Sequence, residues 1–178
     1  MKQYPIKLSQ ASGLLLAVAL IACSGCIHSN KGGRSSSAPA AISTSAQVAK
    51  VVGANVSISQ SSPAEAVVTV SISPGFHVNA NPATFPYLIA TELTADKVEG
   101  IAVGSPVYPA AQKKKFQFAD EPLSVYEGEI PIKVNLRVEA NAMTGTRTLP
   151  VKVRVQACDE EQCFPPATIN TTIMATVK

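Results

Sequence analysis

Hydrophobic and polar positions alternate with a period of two along most of the chain after residue 47, a pattern typical of half-buried β-strands. The clearest strand spans 130–138, where Pro131 and polar residues alternate with Ile130, Ile132, Val134, Leu136 and Val138. Similar runs, bounded by Pro-, Gly- and Ser-rich turns, lie at 51–58, 66–72, 76–78, 87–93, 98–107, 149–157 and 168–177. Gly100 and Gly104 predict a bulge in the run at 98–107. No segment keeps a helical period over a dozen residues.

Seven to nine short strands with regular turn signals predict an all-β fold, namely an immunoglobulin-like antiparallel β-sandwich. About 130 residues, from 47 to 178, are enough for one such domain with its own core. The chain has no Trp and this segment has no intersheet cysteine pair, so an antibody-type domain is not expected.

The first residues have the pattern of an export signal. Lys2 and Lys7 precede an apolar run at 11–22, which is shorter than the about 20 residues needed to cross a bilayer. We therefore predict a signal peptide at 1–22. Its end, Leu20-Ile21-Ala22-Cys23, resembles the lipobox of bacterial lipoproteins, which implies cleavage before Cys23 and a lipid on its sulfur. Ordinary signal cleavage would instead leave a soluble secreted or periplasmic protein.

Residues 23–46 are rich in Ser, Gly and Ala and have few bulky apolar side chains, so they predict a flexible linker between a lipid anchor and the domain. Ser24, directly after Cys23, favours the outer membrane by resemblance to lipoprotein sorting rules. The expected location is thus periplasmic, with the chain held at a bacterial membrane by its lipid. Cys26 has no assigned role.

Charge offers little guidance on partners. The whole chain has a formal net charge of +3, but from residue 47 onward it has eleven basic and twelve acidic side chains. This balance gives no reason to expect nucleic acid or an anionic membrane surface as a partner. The run Lys113-Lys114-Lys115 predicts a solvated strand edge that is protected against edge-to-edge pairing.

Cys158 and Cys163 are the only cysteines after residue 26, and they lie between the strands predicted at 149–157 and 168–177. Strands joined by so short a connection should form an antiparallel hairpin, with opposed Cα atoms roughly 4.5–5.5 Å apart, so a disulfide is feasible. The parity of the first strand places Val151, Val153 and Val155 in the core. Without a bulge, Cys158 would then lie on the outer, polar face.

Two interpretations of this pair remain open. A structural disulfide that closes such a short loop would stabilise the fold by only about 2 kcal/mol, which weakens the purely structural interpretation. In a redox interpretation, Asp159, Glu160 and Glu161 disfavour the thiolates, because like charges repel. A slow nucleophile of this kind suits a carrier that exchanges electrons only with a docked partner.

The segment from Gln156-Ala157-Cys158 to Cys163-Phe164-Pro165-Pro166 resembles the cysteine hairpin of the N-terminal periplasmic domain of the disulfide interchange protein DsbD. The stretches at 75–82, 87–93 and 123–129 are similar to the single-domain members of that family, and the resemblance covers about residues 47–178. It implies an immunoglobulin-like fold with the cysteines on a hairpin. It also implies a thiol–disulfide oxidoreductase component that receives electrons from thioredoxin-like periplasmic proteins and passes them to oxidised ones.

The resemblance further implies residue roles. Cys163 would form the mixed disulfide and Cys158 would be the resolving thiol. An aromatic cap loop covers the disulfide in the family, and the corresponding stretch here contains Phe116, Phe118, Asp120 and Glu121; the two Phe side chains could equally be core residues. The full-length relatives carry a membrane-spanning electron conduit and a thioredoxin-like domain. This chain has neither, so a separate conduit is an expected partner.

Other functions have less support in the sequence. An immunoglobulin-like binding or structural module with an inert disulfide is the main alternative. A zinc site would need more ligands than the two cysteines and His77, the one histidine after residue 46. With a single histidine and no G-x-S-x-G motif, a hydrolase triad is not expected. No phosphate-binding glycine loop or dinucleotide motif is present, and we predict no cofactor and no metal.

Overall fold

The computed structural model describes residues 41–140 and 142–178. A short 3-10 turn (Ser45–Gln47) precedes the strands, which are β1 (Ala49–Gly53), β2 (Val56–Ile58), β3 (Ala64–Ile72), β4 (His77–Asn79), β5 (Glu92–Ala95), β6 (Ile101–Val107), β7 (Gln112–Lys114), β8 (Leu123–Tyr126), β9 (Glu129–Val138), β10 (Gly145–Val155), β11 (Ala157–Cys158) and β12 (Ala167–Val177). Within this part of the chain, no helix has the length and apolar character to cross a membrane.

Two four-stranded sheets form the body of the domain. The first has the strand order β1-β3-β9-β6 and the second has the order β2-β12-β10-β5. Their inner faces share one hydrophobic core. Among the described strands every pairing is antiparallel except that of β2 with β12, which is parallel. The predicted all-β, immunoglobulin-like sandwich is confirmed.

The core follows the alternation read from the sequence. In β9 every second side chain is buried, and Ile132, Val134 and Leu136 are fully enclosed between the sheets. β10 repeats the pattern with Leu149, Val151, Val153 and Val155. Each such side chain stabilises the fold by roughly 1.5–3 kcal/mol through its removal from water, so these two strands account for much of the driving force for folding.

A third sheet, which we call the disulfide sheet, has the strand order β11-β4-β8-β7. Its strands have only two to four residues. Val78, Tyr126 and Ala157 connect it to the main core, while Phe116, Leu123 and Val125 form a separate small cluster. Strands this short give weak sequence signals, which explains why twelve strands are present where seven to nine were predicted.

Individual strands differ from prediction in three places, of which one is the run at 149–157, which is divided between β10 and β11. The run at 51–58 is divided into β1 and β2, and the run at 87–93 contributes only its last two residues, to β5. The segment before β5 is a loop because the backbone N–H and C=O of Ile89 bond to the side chains of Gln156 and Asn79 instead of a neighbouring strand. The predicted bulge is confirmed, since the β6–β9 register shifts between Val103 and Pro106.

The signal peptide predicted at 1–22, the lipid-bearing Cys23 and the linker up to residue 40 lie outside the described residues. Within residues 41–140 and 142–178, Ser45 is the first residue that makes a long-range hydrogen bond, and it lies two positions before the start predicted for the domain.

Candidate functional site

Cys158 and Cys163 form a disulfide at the tip of the β10–β12 hairpin, with their Cα atoms 3.9 Å apart. The four residues between them make a tight turn. The backbone N–H of Asp159 donates to the C=O of Gln162 at 2.9 Å. The Asp159 carboxylate accepts hydrogen bonds from the N–H groups of Glu161 and Gln162, both at 2.8 Å. One of the three acidic side chains of this loop therefore has a structural role.

Ser45 ties together the residues just outside the two cysteines. Its buried hydroxyl accepts a hydrogen bond from the Ala157 N–H at 2.9 Å and donates one to the Pro165 C=O at 2.8 Å. The Phe164 N–H donates to the Ala157 C=O at 2.8 Å and closes the base of the loop. The loop geometry thus has supports that do not depend on the sulfur–sulfur bond.

The two cysteines differ sharply in exposure. Cys158 is 0% exposed, whereas Cys163 is half-buried and lines a groove of about 290 Å³. The prediction that Cys158 lies on the outer face is therefore wrong. The parity of β10 does not extend to Cys158, because β10 ends at Val155 and Gln156 lies outside the ladder. β11 then joins a different sheet.

His77 in β4 lies directly opposite Cys158 in the antiparallel register of the disulfide sheet. Its side chain is 1% exposed and stacks on Phe116 with 4.0 Å between ring centroids, and its Nε2 atom has no hydrogen-bond partner. Burial lowers the pKa of His77 to about 4, with a further lowering from Lys114 and opposing effects of nearby carboxylates. At neutral pH this imidazole is uncharged.

Lys114 connects the acidic loop to the rest of the site. Its Nζ atom lies 2.7 Å from Glu127 and 3.0 Å from Glu160, and 5.4 Å from the ring centroid of Phe116. Hydrogen bonds to Glu127 and Glu160 raise the pKa of Lys114 above its ordinary value. As predicted for a lysine-rich edge, β7 is the outermost strand of its sheet. The charge near the cysteines nevertheless differs from the purely acidic one suggested by local sequence, because the fold brings Lys114 to Glu160 in the cysteine loop.

The segment between β7 and β8 holds the predicted cap residues. Phe116 is 1% exposed and packs with Leu123 and Val125, whereas Phe118 is 39% exposed, stacks on Phe116 at 5.3 Å and lines the groove of Cys163. The side chains of Asp120 and Glu121 are exposed and do not line that groove. Lys115 holds this segment in a turn by donating to the carbonyl oxygens of Ala119 and Asp120.

A second loop, at 80–91, contributes Tyr87 and Leu88 to the lining of the same groove. The side chain of Asn79 anchors it by donating to the Ile89 C=O at 3.1 Å and to the Gln156 side chain at 3.2 Å. Tyr87 is 72% exposed. Cys163 therefore shares its groove with an exposed aromatic side chain from each of two loops, Tyr87 and Phe118, in a position that another protein can reach.

The sequence did not assign a site role to four residues that contact or support the pair: Ser45, His77, Asn79 and Lys114. Only His77 gave a usable signal, as a polar side chain between two apolar ones in a short predicted strand. Ser45 is hidden in a serine-rich tract. Among residues 41–140 and 142–178, no group of three or more His, Cys, Asp and Glu side chains could hold a metal ion. The larger cavity of about 550 Å³ between β5 and β6 is lined by neither cysteine nor histidine.

The family model for the N-terminal part of the thiol:disulfide interchange protein DsbD matches residues 45–175. No curated protein matches. Among solved structures, the chain resembles the reduced DsbD N-terminal domain of Neisseria meningitidis, with 18% sequence identity and a TM-score of 0.42; the match covers 62% of this chain and 77% of that one. It also resembles the N-terminal periplasmic domain of ScsB from Proteus mirabilis, with 13% identity and a TM-score of 0.45; this match covers 69% of this chain and 45% of that one. A cohesin–dockerin complex from Clostridium thermocellum also resembles it (9%, TM-score 0.41, 74% and 95%).

These solved structures resemble the chain only distantly, with TM-scores below 0.5. The family model, in contrast, covers most of the described residues and includes both cysteines. It also confirms the resemblance seen in the cysteine hairpin. The chain belongs to the family of the N-terminal domain of the thiol:disulfide interchange protein DsbD.

Proposed function

We propose that this chain is a periplasmic thiol–disulfide exchange module that carries reducing equivalents through Cys158 and Cys163 between thioredoxin-like proteins. The observation that carries the proposal is the unequal exposure of the two sulfurs. Cys163 faces a groove open to a partner, and Cys158 lies enclosed behind it. A purely structural disulfide gains nothing from this asymmetry, whereas exchange needs one sulfur to be attacked and one to be protected.

The exchange would proceed in two balanced steps. A thiolate of a reduced thioredoxin-like donor attacks Cys163, the bond to Cys158 breaks, and Cys158 leaves as a thiolate that takes up a proton. The second thiol of the donor then loses its proton and attacks the donor sulfur of the mixed disulfide, which releases Cys163. The donor ends oxidised by two electrons, and the chain ends as a dithiol. An oxidised periplasmic protein reverses these steps and receives the electrons.

The supports around the loop favour this function over an inert disulfide. The hydrogen bonds of Asp159, Ser45 and Phe164 already close the turn. A disulfide across so short a loop adds only about 2 kcal/mol in the chain-entropy model. The loop can therefore keep its shape when the sulfur bond opens, as a carrier that cycles between two states requires.

Location and partners complete the proposal. The chain would be exported, cut before Cys23 and held by a lipid on that residue, with the outer membrane favoured. A separate membrane electron conduit would supply the donor. Changing Cys23 to Ser should move the chain from the membrane fraction to the soluble periplasmic fraction. Mass spectrometry of the N-terminal peptide should show the loss of the lipid.

Trapping tests the exchange directly. The full chain with Cys158→Ser, expressed in its native host, should accumulate mixed disulfides between Cys163 and thioredoxin-like proteins. The matched control is Cys163→Ser, which leaves only the enclosed cysteine of the pair and should capture none of them through it. Both variants keep Cys23 and Cys26, so capture by those residues would appear equally in each.

The reduction potential of the Cys158–Cys163 pair is an independent test of whether the disulfide takes part in exchange. A working pair should lie above about −300 mV, and a structural one below it. An empty trap together with a potential well below that value would favour the alternative, an immunoglobulin-like binding or structural module with an inert disulfide.

A further inference from the structure

The imidazole of His77 is the polar group in the site that the exchange steps above leave unused. It is 1% exposed, and its Nε2 atom has no hydrogen-bond partner. An unpartnered polar atom in such a place costs free energy, and natural proteins rarely keep one without a reason. The structure contains the disulfide form, in which neither sulfur carries a proton. A proton on Cys158 would exist only after reduction.

The register of the disulfide sheet places this imidazole beside the buried sulfur. His77 and Cys158 are directly opposed in the antiparallel pair of β4 and β11. Side chains of opposed residues project from the same face, with Cβ atoms about 4.5–5.5 Å apart, which is within reach of an imidazole–thiol contact. Phe116 stacks on the ring, and both side chains are only 1% exposed. Proton exchange between Cys158 and bulk water is therefore hindered.

We infer that His77 is the proton acceptor for Cys158, the residue that converts the resolving thiol into a nucleophile. This inference rests on the proposed exchange function. In the mixed disulfide, the thiol proton of Cys158 passes to His77 Nε2. The Cys158 thiolate then attacks Cys163, the new bond between the two cysteines forms, and the partner leaves as a thiolate. The proton on His77 is released to that thiolate or to solvent.

The charges that face the ring fit this role. Lys114 from β7 lowers the tendency of His77 to hold a proton, while Glu127, which follows β8, and Asp159 and Glu160 from the cysteine loop raise it. In the disulfide form burial dominates, and the pKa of about 4 keeps the ring neutral but makes it a weak base until a thiolate forms beside it. A thiolate on Cys158 would raise the pKa of His77, because an imidazolium beside a thiolate forms a favourable ion pair.

The test uses the full chain with Cys23→Ser and Cys26→Ser, so that Cys158 and Cys163 are the only thiols. The reduced protein is mixed with oxidised glutathione, quenched with acid at intervals, and analysed by mass for the mixed disulfide and the closed form. His77→Phe keeps an aromatic ring to stack on Phe116 but removes the acceptor. This variant should form the mixed disulfide on Cys163 at the original rate, and closure should be slower by about 100-fold, the usual contribution of a general base.

The pH profile separates proton transfer from a merely structural effect. Closure in His77→Phe should speed up about tenfold per pH unit between pH 6 and 8, as for a thiol that ionises into solvent, while the chain with His77 should depend on pH more weakly. The unsubstituted ring gives a readout that does not depend on the variant folding. By NMR, His77 should titrate at a higher pH in the dithiol form than in the disulfide form.

The outcomes decide separately on the role of His77 and on the proposed function. Equal closure rates in a folded His77→Phe variant would overturn the inference, and so would identical titration of His77 in the two redox forms. Slow closure with a trapped mixed disulfide and a shifted titration would support it. If the parent chain itself neither accepts glutathione nor closes again, the proposed function has failed. If the parent exchanges and the variant matches it, the role of His77 alone has failed.

Discussion

The two sheets of the sandwich and the disulfide sheet each have four strands, but they differ in what they bury. β9 and β10 bury aliphatic side chains, and their polar residues face outward. β4 in the disulfide sheet buries His77 and Asn79, and both buried side-chain atoms without a partner, among the residues described, belong to these two. The remaining buried polar residues are Ser45 and Thr91, which bond to residues beside the cysteines or in β4.

This difference separates the part of the molecule that supplies stability from the part that carries chemistry. Burial of polar groups opposes folding unless each is fully hydrogen-bonded. The sandwich avoids that cost, and the disulfide sheet accepts it beside the reactive sulfurs. Local departures from the rules of stable design are expected at functional sites. Substitutions in the core of the sandwich should therefore mainly lower the free energy of unfolding. Substitutions in the disulfide sheet should mainly change the rate of thiol–disulfide exchange.

The largest effect on stability is expected from Leu136→Ala in β9. Leu136 is fully buried between the two sheets, so its truncation leaves a cavity and should lower the free energy of unfolding by about 2–5 kcal/mol. Urea titration measures this loss. Asn135→Ala, on the exposed face of the same strand, should change stability by less than about 0.5 kcal/mol. At temperatures where Leu136→Ala remains folded, its rate of exchange with glutathione should match that of the parent, and a slower rate would break the separation.

An acid-dependent loss is expected from His77. Its pKa in the folded chain is about 4, below the ordinary 6.5, so the unfolded chain binds the proton first as pH falls. The contribution of neutral His77 is fully present above pH 6.5 and should decline by roughly 2–3 kcal/mol on going from pH 7 to pH 4. Urea titrations of the disulfide form at several pH values measure this. His77→Phe should lose less stability over the same range by that amount, and identical losses would contradict burial of a neutral ring.

A smaller effect is expected from Ser45→Ala. The change removes the acceptor for the buried Ala157 N–H and should cost about 1–2 kcal/mol. Hydrogen exchange at the amide of Ala157 should become faster, while amides in β9 change in proportion to the global loss only. Ser43→Ala is the matched control, because the Ser43 hydroxyl bonds only to nearby Gln47 and is exposed. Equal effects of the two changes would show that Ser45 does not support the loop.

The smallest effect on stability is expected from Lys114→Gln. Exposed ion pairs contribute about 0–1 kcal/mol, and both pairs of Lys114 lie near the surface. Its chemical effect should still be visible, because removal of this cation should raise the pKa of His77, which NMR titration measures. Lys113→Gln, on the same strand and exposed, should leave that pKa almost unchanged. A fall in the pKa of His77 in Lys114→Gln would contradict the assigned field.

The sandwich was predictable from sequence because its main strands are long and bury only one of their two faces. In β9, β10 and β12, apolar and polar side chains alternate because one face of each strand packs on the core. A shift of the strand register by one residue would expose the apolar side chains that face the core. The cysteine pair was predictable as well, since its two flanking strands and short connection require a hairpin.

The arrangement of the site was less predictable. The burial of Cys158 depends on Gln156, whose side chain bonds to Ile89 and Asn79 and interrupts the ladder after β10. The placement of His77 opposite Cys158 depends on a pairing between positions 81 residues apart (158 − 77), in β-strands of two and three residues. Such short strands have no period to read, and contacts between distant segments leave no local signal. For the same reason, the lysine run indicates only a solvated strand edge and gives no sign of the ion pairs of Lys114 with Glu127 and Glu160.

The two hydrogen bonds of the Ser45 hydroxyl have a mechanical consequence. Among the described residues, Ser45 is the first along the chain to hydrogen-bond to a distant segment. It bonds to Ala157, directly before Cys158, and to Pro165, two positions after Cys163. One side chain near the start of the sandwich therefore contacts both ends of the cysteine loop. A displacement of the backbone at Ser45 would reach Ala157 and Pro165 directly.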